Sequence, residues 1–271
     1  MTIKLVAIDI DGTLLNDSRE VTSEVLQAIQ EAKRQGVKIV LTTGRPLPGV
    51  HALLQQLNLE EPGDYVITYN GGLVQDASTG EELARYGISY DDYLEIDLMA
   101  RKMKVHMHAI TNEHIYTANR DLSPYTIHES FLVSMPVRYR TQEEMTEDMG
   151  IVKTMFIDEP DYLDKVIADI PDWFKEKYTT VKSAPFYYEV LNKKASKGAA
   201  LIALADKLGI AISETMAIGD EENDLSMLEV AGLAVAMGNS KNANILEAAD
   251  VVTASNNEHG VAKALYDYVL K

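Results

Sequence analysis

Two aspartates, Asp9 and Asp11, stand two positions apart where the first apolar run of the chain ends. Alternate side chains of an extended strand point to the same side, so the two carboxylates are expected to be neighbours. Like charges at a strand end repel each other, and this placement requires a cation, a shifted pKa or hydrogen-bond donors. Gly12 then allows a tight turn. Taken alone, Asp-x-Asp-Gly is also common in solvated turns and in calcium loops.

A second apolar run ends in Thr42-Thr43-Gly44-Arg45. The Thr43 hydroxyl and the backbone N–H groups around Gly44 are suited to bind the oxygens of a phosphate. The carboxyl ends of neighbouring parallel strands meet at one edge of a sheet, so Thr43 is expected near Asp9. The alternative is a capping threonine with Arg45 on the surface.

A third strand end is also acidic. Gly219-Asp220 precedes a predicted helix whose first turn contains Asn223 and Asp224, and four of the five residues from 220 to 224 are carboxylates. A helix dipole stabilises each acidic residue in the first turn by only about 0.3–1 kcal/mol, which does not explain four carboxylates in this segment. Together with Asp9 they favour a bound metal. Oxygen ligands without cysteine are typical of Mg²⁺.

Lys197 follows Ser196, which is a suitable helix cap, and its ammonium group is expected to reach the same sheet edge. A single lysine is usually a solvated surface charge. Here it accompanies two carboxylates, a hydroxyl and a second acidic strand end. These are the groups needed to transfer a phosphoryl group onto an aspartate.

The elements that position these residues follow from hydrophobic periodicity. Apolar runs at 5–8, 37–41 and 65–69 alternate with helical patterns, and the same alternation returns between 197 and 252. Both ends of the chain therefore predict one doubly wound parallel sheet. The intervening residues, 83–191, are richer in aromatic and histidine residues and are expected to form an inserted second domain. The predicted α/β core then consists of residues 1–82 plus 192–271.

Composition excludes several function classes. The 271 residues are 46% hydrophobic and 25% charged, as in ordinary globular proteins, and the net charge of −17 repels nucleic acids and anionic membranes. No nucleic-acid or membrane partner is expected. The chain contains no cysteine, which excludes disulfides, thiolate metal sites and cysteine nucleophiles. No export or anchoring segment is evident, so a cytoplasmic location is expected.

The four blocks, in this order and spacing, resemble the haloacid dehalogenase superfamily, and the insertion between the second and third resembles the large cap of its Cof-type, class IIB members. The resemblance implies a Rossmann-like core with an inserted α/β cap domain of the C2B type. It also implies a Mg²⁺-dependent phosphatase that hydrolyses small phosphorylated metabolites, with sugar phosphates as the expected substrates, through an aspartyl-phosphate intermediate.

The resemblance also implies roles for individual residues. Asp9 would be the nucleophile, and Asp11 would protonate the leaving oxygen and then activate water. Mg²⁺ would be held by Asp9, the backbone carbonyl of Asp11 and Asp220. Residues expected to bind the phosphoryl group, with Asp224 orienting them, are Thr43, Gly44, Lys197 and Asn223.

The cap is expected to select the substrate. Polar residues in it that could contact a sugar or a second phosphate are His106, His108, Asn119, Arg120, Tyr187 and Glu189. A purely structural role is the alternative for each of them.

Two other functions remain open. A phosphotransferase or phosphomutase would use the same intermediate but pass the phosphoryl group to a hydroxyl. A phosphoaspartate signalling module would hold the group without turnover, although it would need no inserted domain.

Overall fold

The computed structural model describes residues 2–270 and divides into two compact units. The core unit consists of Met1–Ala84 and Ser196–Lys271, and the inserted unit is Arg85–Ala195. The sequence places the second boundary at 191/192, whereas the structure has it at 195/196. The difference arises because a strand continues to Asn192 and the Ala195 N–H then closes a turn onto the Asn192 carbonyl at 2.9 Å.

The strands in chain order are β1 (Leu5–Asp9), β2 (Lys38–Thr42), β3 (Tyr65–Thr68), β4 (Leu73–Asp76), β5 (Glu82–Arg85), β6 (His106–Ile110), β7 (Ile115–Thr117), β8 (Val137–Tyr139), β9 (Lys153–Ile157), β10 (Tyr178–Ala184), β11 (Tyr187–Asn192), β12 (Thr215–Gly219), β13 (Leu233–Ala236) and β14 (Val251–Val252).

The α-helices are α1 (Ser23–Arg34), α2 (His51–Gln56), α3 (Tyr90–Met103), α4 (Pro124–Val133), α5 (Pro160–Asp169), α6 (Asp172–Lys177), α7 (Lys197–Lys207), α8 (Leu225–Val230), α9 (Ala243–Ala248) and α10 (Gly260–Tyr268). Single 3₁₀ turns that matter for the site cover Tyr69–Gly71 and Glu222–Asp224. No helix within residues 2–270 is both long enough and apolar enough to cross a membrane.

The core unit contains an eight-stranded sheet in the order β14-β13-β12-β1-β2-β3-β4-β5. The pairs from β14 to β3 are parallel, and β4 runs antiparallel to β3. The predicted α/β class with a parallel sheet is confirmed.

Helices cover both faces of this sheet, as the continuous burial of β1 requires. Val6 and Ile8 pack in a cluster with α1 and α10, whereas Leu5 and Ala7 pack in a cluster with α7 and α8. The strands are in register, so Asp9 of β1 lies beside Thr42 of β2, and Ile8 lies beside Ile218 of β12. The three acidic or hydroxyl-rich strand ends therefore meet at one edge.

The inserted unit contains a six-stranded sheet in the order β10-β11-β9-β6-β7-β8. One face carries Phe156 and Tyr188, which pack against apolar residues of α3, α5 and α6. His108, Met155 and Glu189 are register neighbours on the adjacent strands and therefore share the opposite face.

Candidate active site

Asp9 is the last residue of β1, and only 6% of it is exposed. Removal from water disfavours a carboxylate, and this burial is the main reason why the pKa of Asp9 is raised from 3.8 to about 7. The charge of Lys197 acts in the opposite direction and lowers it. An isolated buried carboxylate is costly, so the ionised form of Asp9 depends on nearby positive charge.

Lys197 supplies such a charge from the first residue of α7. Ser196 caps this helix by accepting a hydrogen bond from the Ala199 N–H at 3.1 Å, which confirms the predicted cap. The Lys197 side chain is fully buried, and its Nζ donates to Asp9 Oδ1 and to Asp224 Oδ1, each at 2.5 Å. Burial alone would lower the pKa of Lys197, but attraction to the two carboxylates outweighs burial and raises it. The lysine is therefore a fixed cation at the strand end.

Asp224 uses both carboxylate oxygens within the core unit. Oδ1 accepts from Lys197, and Oδ2 accepts from the backbone N–H groups of Asp220 at 2.9 Å and Glu221 at 3.1 Å. Asp224 thus fixes the loop that follows β12 and, at the same time, the position of the lysine. This geometry supports an orienting role for Asp224 better than a metal-ligand role.

Asp220 follows β12 and is also 6% exposed, and burial is the main cause that raises its pKa to about 6. The Thr13 hydroxyl donates to its Oδ1 at 2.8 Å. Asn239 Nδ2 donates to the Gly12 carbonyl at 2.9 Å and lies 3.4 Å from Asp220 Oδ2. Gly12 has a φ of +83°, and a Cβ at this position would overlap Asp220 Oδ2. Glycine therefore allows the two loops to approach each other.

Carboxylate oxygens of Asp9, Asp220 and Asp224 lie within 4.8 Å of one another. Asp224 already accepts three hydrogen bonds, one of them from the Lys197 ammonium group, whereas Asp220 accepts one at 2.8 Å and has a longer contact at 3.4 Å. Asp9 and Asp220 are therefore the better candidates for metal ligands. Two close, buried carboxylates with raised pKa values are stabilised by a cation, and oxygen donors are the ligands that Mg²⁺ prefers. The residues present therefore fit a Mg²⁺ ion.

Asp11 is not one of these three carboxylates. The strand ends at Asp9 and the chain turns, so the Asp11 side chain is 58% exposed and pairs with Arg45 through Nε–Oδ2 at 3.1 Å and through Nη2–Oδ1. The extended geometry that would make Asp9 and Asp11 neighbours does not continue beyond β1.

The predicted phosphate-binding residues of the second block lie between β2 and β3. Thr43 is buried, and its hydroxyl accepts from the Arg45 N–H at 3.1 Å. A Cβ on Gly44 would lie 3.1 Å from Asn70 Nδ2. Asn223 Nδ2 in turn donates to Asn70 Oδ1 at 3.0 Å. Asn70 therefore connects two of the predicted phosphate-binding segments.

Five of the six predicted substrate residues of the inserted unit have polar contacts inside that unit. His108 is fully buried, with its ring nitrogens 3.3 Å from Thr126 Oγ1 and Met155 Sδ, and burial is the main cause that lowers its pKa to about 3. Glu189 pairs with the buried Lys153 at 3.0 Å. These contacts favour a structural role for His108 and Glu189.

Tyr187 and Asn119 are similarly occupied. The Tyr187 hydroxyl donates to the Tyr125 carbonyl at 2.9 Å, and Asn119 Oδ1 accepts from the Met107 N–H at 2.8 Å. His106 is partly exposed and lies 2.9 Å from Asp158 Oδ2. Arg120 is exposed.

Several residues of the site are not predicted by the sequence patterns. Thr13 and Arg45 enter the sequence interpretation only as members of the first and second motif blocks, with no role assigned in the site, and Asn70 and Asn239 are not singled out in it. Thr13 directly follows the Asp-x-Asp-Gly turn, and this position beside the acidic motif is the sequence signal that could have indicated a role in the site. The other two act through loop contacts that periodicity does not reveal.

The chain is similar to known proteins over nearly its whole length. A family model described as haloacid dehalogenase-like hydrolase matches residues 6–265. A Streptococcus pyogenes protein named "Putative phosphatase" is 57% identical over 270 residues, covering 100% of both chains. The Bacillus subtilis 5-amino-6-(5-phospho-D-ribitylamino)uracil phosphatase is 32% identical over 268 residues, covering 99% of this chain and 96% of its own length.

A solved structure shows the same likeness in three dimensions. The haloacid dehalogenase subclass IIB sugar phosphatase BT4131 matches with a TM-score of 0.75 at 25% identity, covering 98% of each chain.

Proposed function

Given that this chain is a phosphatase of the haloacid dehalogenase-like hydrolase family, we propose that it hydrolyses small sugar phosphates with Mg²⁺ through a phosphorylated Asp9. The observation that carries the proposal is the buried contact of Lys197 Nζ with both Asp9 and Asp224. An anionic nucleophile cannot approach an anionic phosphate until positive charge offsets their repulsion. The ammonium group of Lys197, in contact with Asp9, provides this positive charge.

In the first step, a carboxylate oxygen of Asp9 attacks phosphorus, and the bond from phosphorus to the leaving oxygen breaks. Asp11, in its protonated form, donates its proton to that oxygen, and the sugar leaves as a neutral alcohol. Lys197, Thr43 and Asn223 bind the phosphoryl oxygens. Their fixed positions orient the group for attack along the line opposite the leaving oxygen.

In the second step, Asp11 is a carboxylate and accepts a proton from water as the water oxygen attacks phosphorus. The bond between phosphorus and the Asp9 oxygen breaks, inorganic phosphate leaves, and both aspartates return to their starting forms. Arg45 restrains the Asp11 carboxylate between the two steps.

Asp9 and Asp220 would hold the magnesium ion, with the Asp11 carbonyl as the third protein ligand that the family resemblance implies. When bound, the ion neutralises charge on the phosphoryl oxygens and on the nucleophile. Thr13 and Asn239 fix the carboxylate of Asp220.

The sugar phosphate class is supported by the similarity to BT4131. The Bacillus subtilis relative acts on a phosphorylated ribityl compound, which likewise carries a polyhydroxylated chain. We propose that the inserted unit selects among such substrates and that Arg120, as an exposed cation of this unit, contributes. Such metabolites are cytoplasmic, so the proposal places the enzyme there.

The test measures inorganic phosphate released from hexose and pentose phosphates, flavin mononucleotide and pyridoxal phosphate, each with Mg²⁺ and with excess chelator. Asp9→Asn is the inactive control. We expect chelator-sensitive release, fastest with sugar phosphates.

Three results would contradict parts of the proposal. Release that survives the chelator removes Mg²⁺ from the mechanism, and a preference for the aromatic cofactors removes the sugar phosphate class. Transfer of the group to an added sugar instead of to water would identify a phosphotransferase.

A further inference from the structure

The turn at Tyr69–Gly71 has an unusual backbone. Three consecutive residues have positive φ values, namely 52° at Tyr69, 55° at Asn70 and 91° at Gly71. This region is unfavourable for residues with a Cβ atom, and asparagine tolerates it better than most. Strained backbone persists where the surrounding structure holds it in place, and it concentrates at functional sites.

Backbone contacts hold this turn against two segments of the site. The Tyr69 N–H donates to the Arg45 carbonyl at 3.2 Å, and the Asn70 N–H donates to the Thr43 carbonyl at 2.8 Å. A Cβ on Gly71 would overlap the Ser196 carbonyl directly before Lys197. The turn is therefore packed between the Thr43 loop and the start of α7.

The Asn70 side chain reaches a third segment. Its Oδ1 accepts from Asn223 Nδ2 at 3.0 Å, and its Nδ2 would lie 3.1 Å from a Cβ on Gly44. Three segments predicted to bind the phosphoryl group, at Thr43–Gly44, Lys197 and Asn223, thus all contact one three-residue turn.

We infer that Asn70 is a positioning residue that fixes the Asn223 amide for phosphate binding, an inference that rests on the proposed function. An exposed asparagine amide rotates freely, and a rotating donor loses entropy when it binds. The bond to Asn70 engages one N–H of Asn223 and leaves the second N–H for a phosphoryl oxygen. The left-handed backbone of Asn70 is what brings its side chain to this point.

The test compares two glycine variants. Asn70→Gly keeps the positive φ but removes the amide. Asn58→Gly is the matched control, because Asn58 is also left-handed, with a φ of 53°, but is exposed at the end of α2 outside the site. The probe is orthovanadate in the presence of Mg²⁺, and its dissociation constant is measured by calorimetry, which requires no turnover.

We expect Asn70→Gly to weaken orthovanadate binding about tenfold, which corresponds to about 1.4 kcal/mol, and to raise KM more than it lowers kcat. Asn58→Gly should change neither quantity. In an Asn223→Ala background, Asn70→Gly should have little additional effect, because the amide that it positions is already absent.

Equal orthovanadate affinities in the two glycine variants would overturn the inference, as would additive effects of Asn70→Gly and Asn223→Ala. A loss of binding matched by a large drop in Tm in Asn70→Gly alone would also overturn it, because that pattern indicates a structural role. If the wild-type chain binds orthovanadate in an Asn70-dependent way but releases no phosphate, the proposed function fails while the inference stands.

Discussion

The guanidinium of Arg45 binds both carboxylate oxygens of Asp11, with Nε 3.1 Å from Oδ2 and Nη2 in contact with Oδ1. A planar fork of this kind fixes the orientation of a carboxylate as well as its position. In the proposed mechanism, Asp11 donates a proton and then accepts one, so its orientation matters in both steps. Arg45 and Asp11 come from different strand ends and meet only because β1 and β2 are neighbours.

Replacing Arg45 with lysine should lower kcat about tenfold with a smaller change in KM. Lysine keeps the charge but cannot form the two-point contact, so Asp11 loses its fixed orientation. Steady-state kinetics would measure this. Arg34→Lys, at an exposed position at the end of α1, is the control. Equal kcat values in the two variants would show that Arg45 does not act through Asp11.

Asp9→Asn should abolish phosphate release, by on the order of a thousandfold or more. An amide cannot form the phosphoaspartate, although it occupies the same volume. Asp224 still pairs with Lys197, so the fold should be retained. Phosphate release and circular dichroism would be measured together. Turnover in a folded Asp9→Asn variant would rule out the covalent intermediate.

Thr13→Val should raise the Mg²⁺ concentration for half-maximal activity about tenfold or more, and Asp220→Ala should raise it further. Valine removes the hydroxyl that orients Asp220, and groups that orient metal ligands commonly contribute 10–100-fold in affinity. Titration of activity with MgCl₂ would measure both. Thr146→Val, at an exposed position in the inserted unit, should behave as wild type. Unchanged metal dependence in Asp220→Ala would remove that residue from the ligand set.

Mg²⁺ should raise the Tm more at pH 8 than at pH 5. The pKa values of Asp9 and Asp220 are raised in the folded chain, from 3.8 to about 7 and about 6. The folded state therefore binds these protons more tightly than the unfolded state, and the stability that they contribute is lost progressively as the pH rises from 3.8 to about 7. Metal binding needs the deprotonated forms, so the ion competes with protons at pH 5.

Thermal unfolding with MgCl₂ and with chelator at both pH values tests this prediction. Subtracting the Tm measured with chelator from the Tm measured with MgCl₂ removes the contribution of groups that titrate without contacting the metal. A chain of this size gains about 2–4 °C for each kcal/mol. The same Mg²⁺-induced shift at pH 5 and pH 8 would contradict the expected competition.

Lys153→Met should lower the free energy of unfolding by about 3–5 kcal/mol, because it leaves the Glu189 carboxylate buried without its cation. The buried Glu129 lies in the same cluster, and burial raises the pKa of Glu129. Urea unfolding would measure the loss. Lys165→Met, at an exposed position on α5, is the matched control. Equal stabilities would mean that the pair contributes little to the inserted unit.

The sequence predicts the arrangement of the core site because that arrangement follows from strand order. Asp9 is the last residue of a parallel strand, and Thr43 and Asp220 each directly follow one. Neighbouring parallel strands bring their carboxyl ends together. The pairing of Asp11 with Arg45, outside the carboxylate cluster, is not predictable from spacing, since it depends on where β1 stops.

Loop contacts and helix placement account for what the sequence does not show. His106 and His108 are expected on one strand face, and both lie on β6 two positions apart. The alternation of side chains along β6 does not show which of them α4 will cover. In the structure, His108 is fully buried against Thr126 of this helix. The left-handed turn at Asn70 likewise depends on tertiary contacts with the Thr43 loop.

The central place of β1 in the sheet has a consequence for synthesis of the chain. One neighbour of β1, β2, follows within the first 42 residues, but the other, β12, ends at Gly219. At ribosomal speeds of about 5–20 residues per second, one edge of β1 stays unpaired for roughly 10–40 s until β12 has been synthesised. During that interval the unpaired strand edge can pair with other chains and promotes aggregation. Lys197, whose ammonium group pairs with Asp9, has also not yet been synthesised.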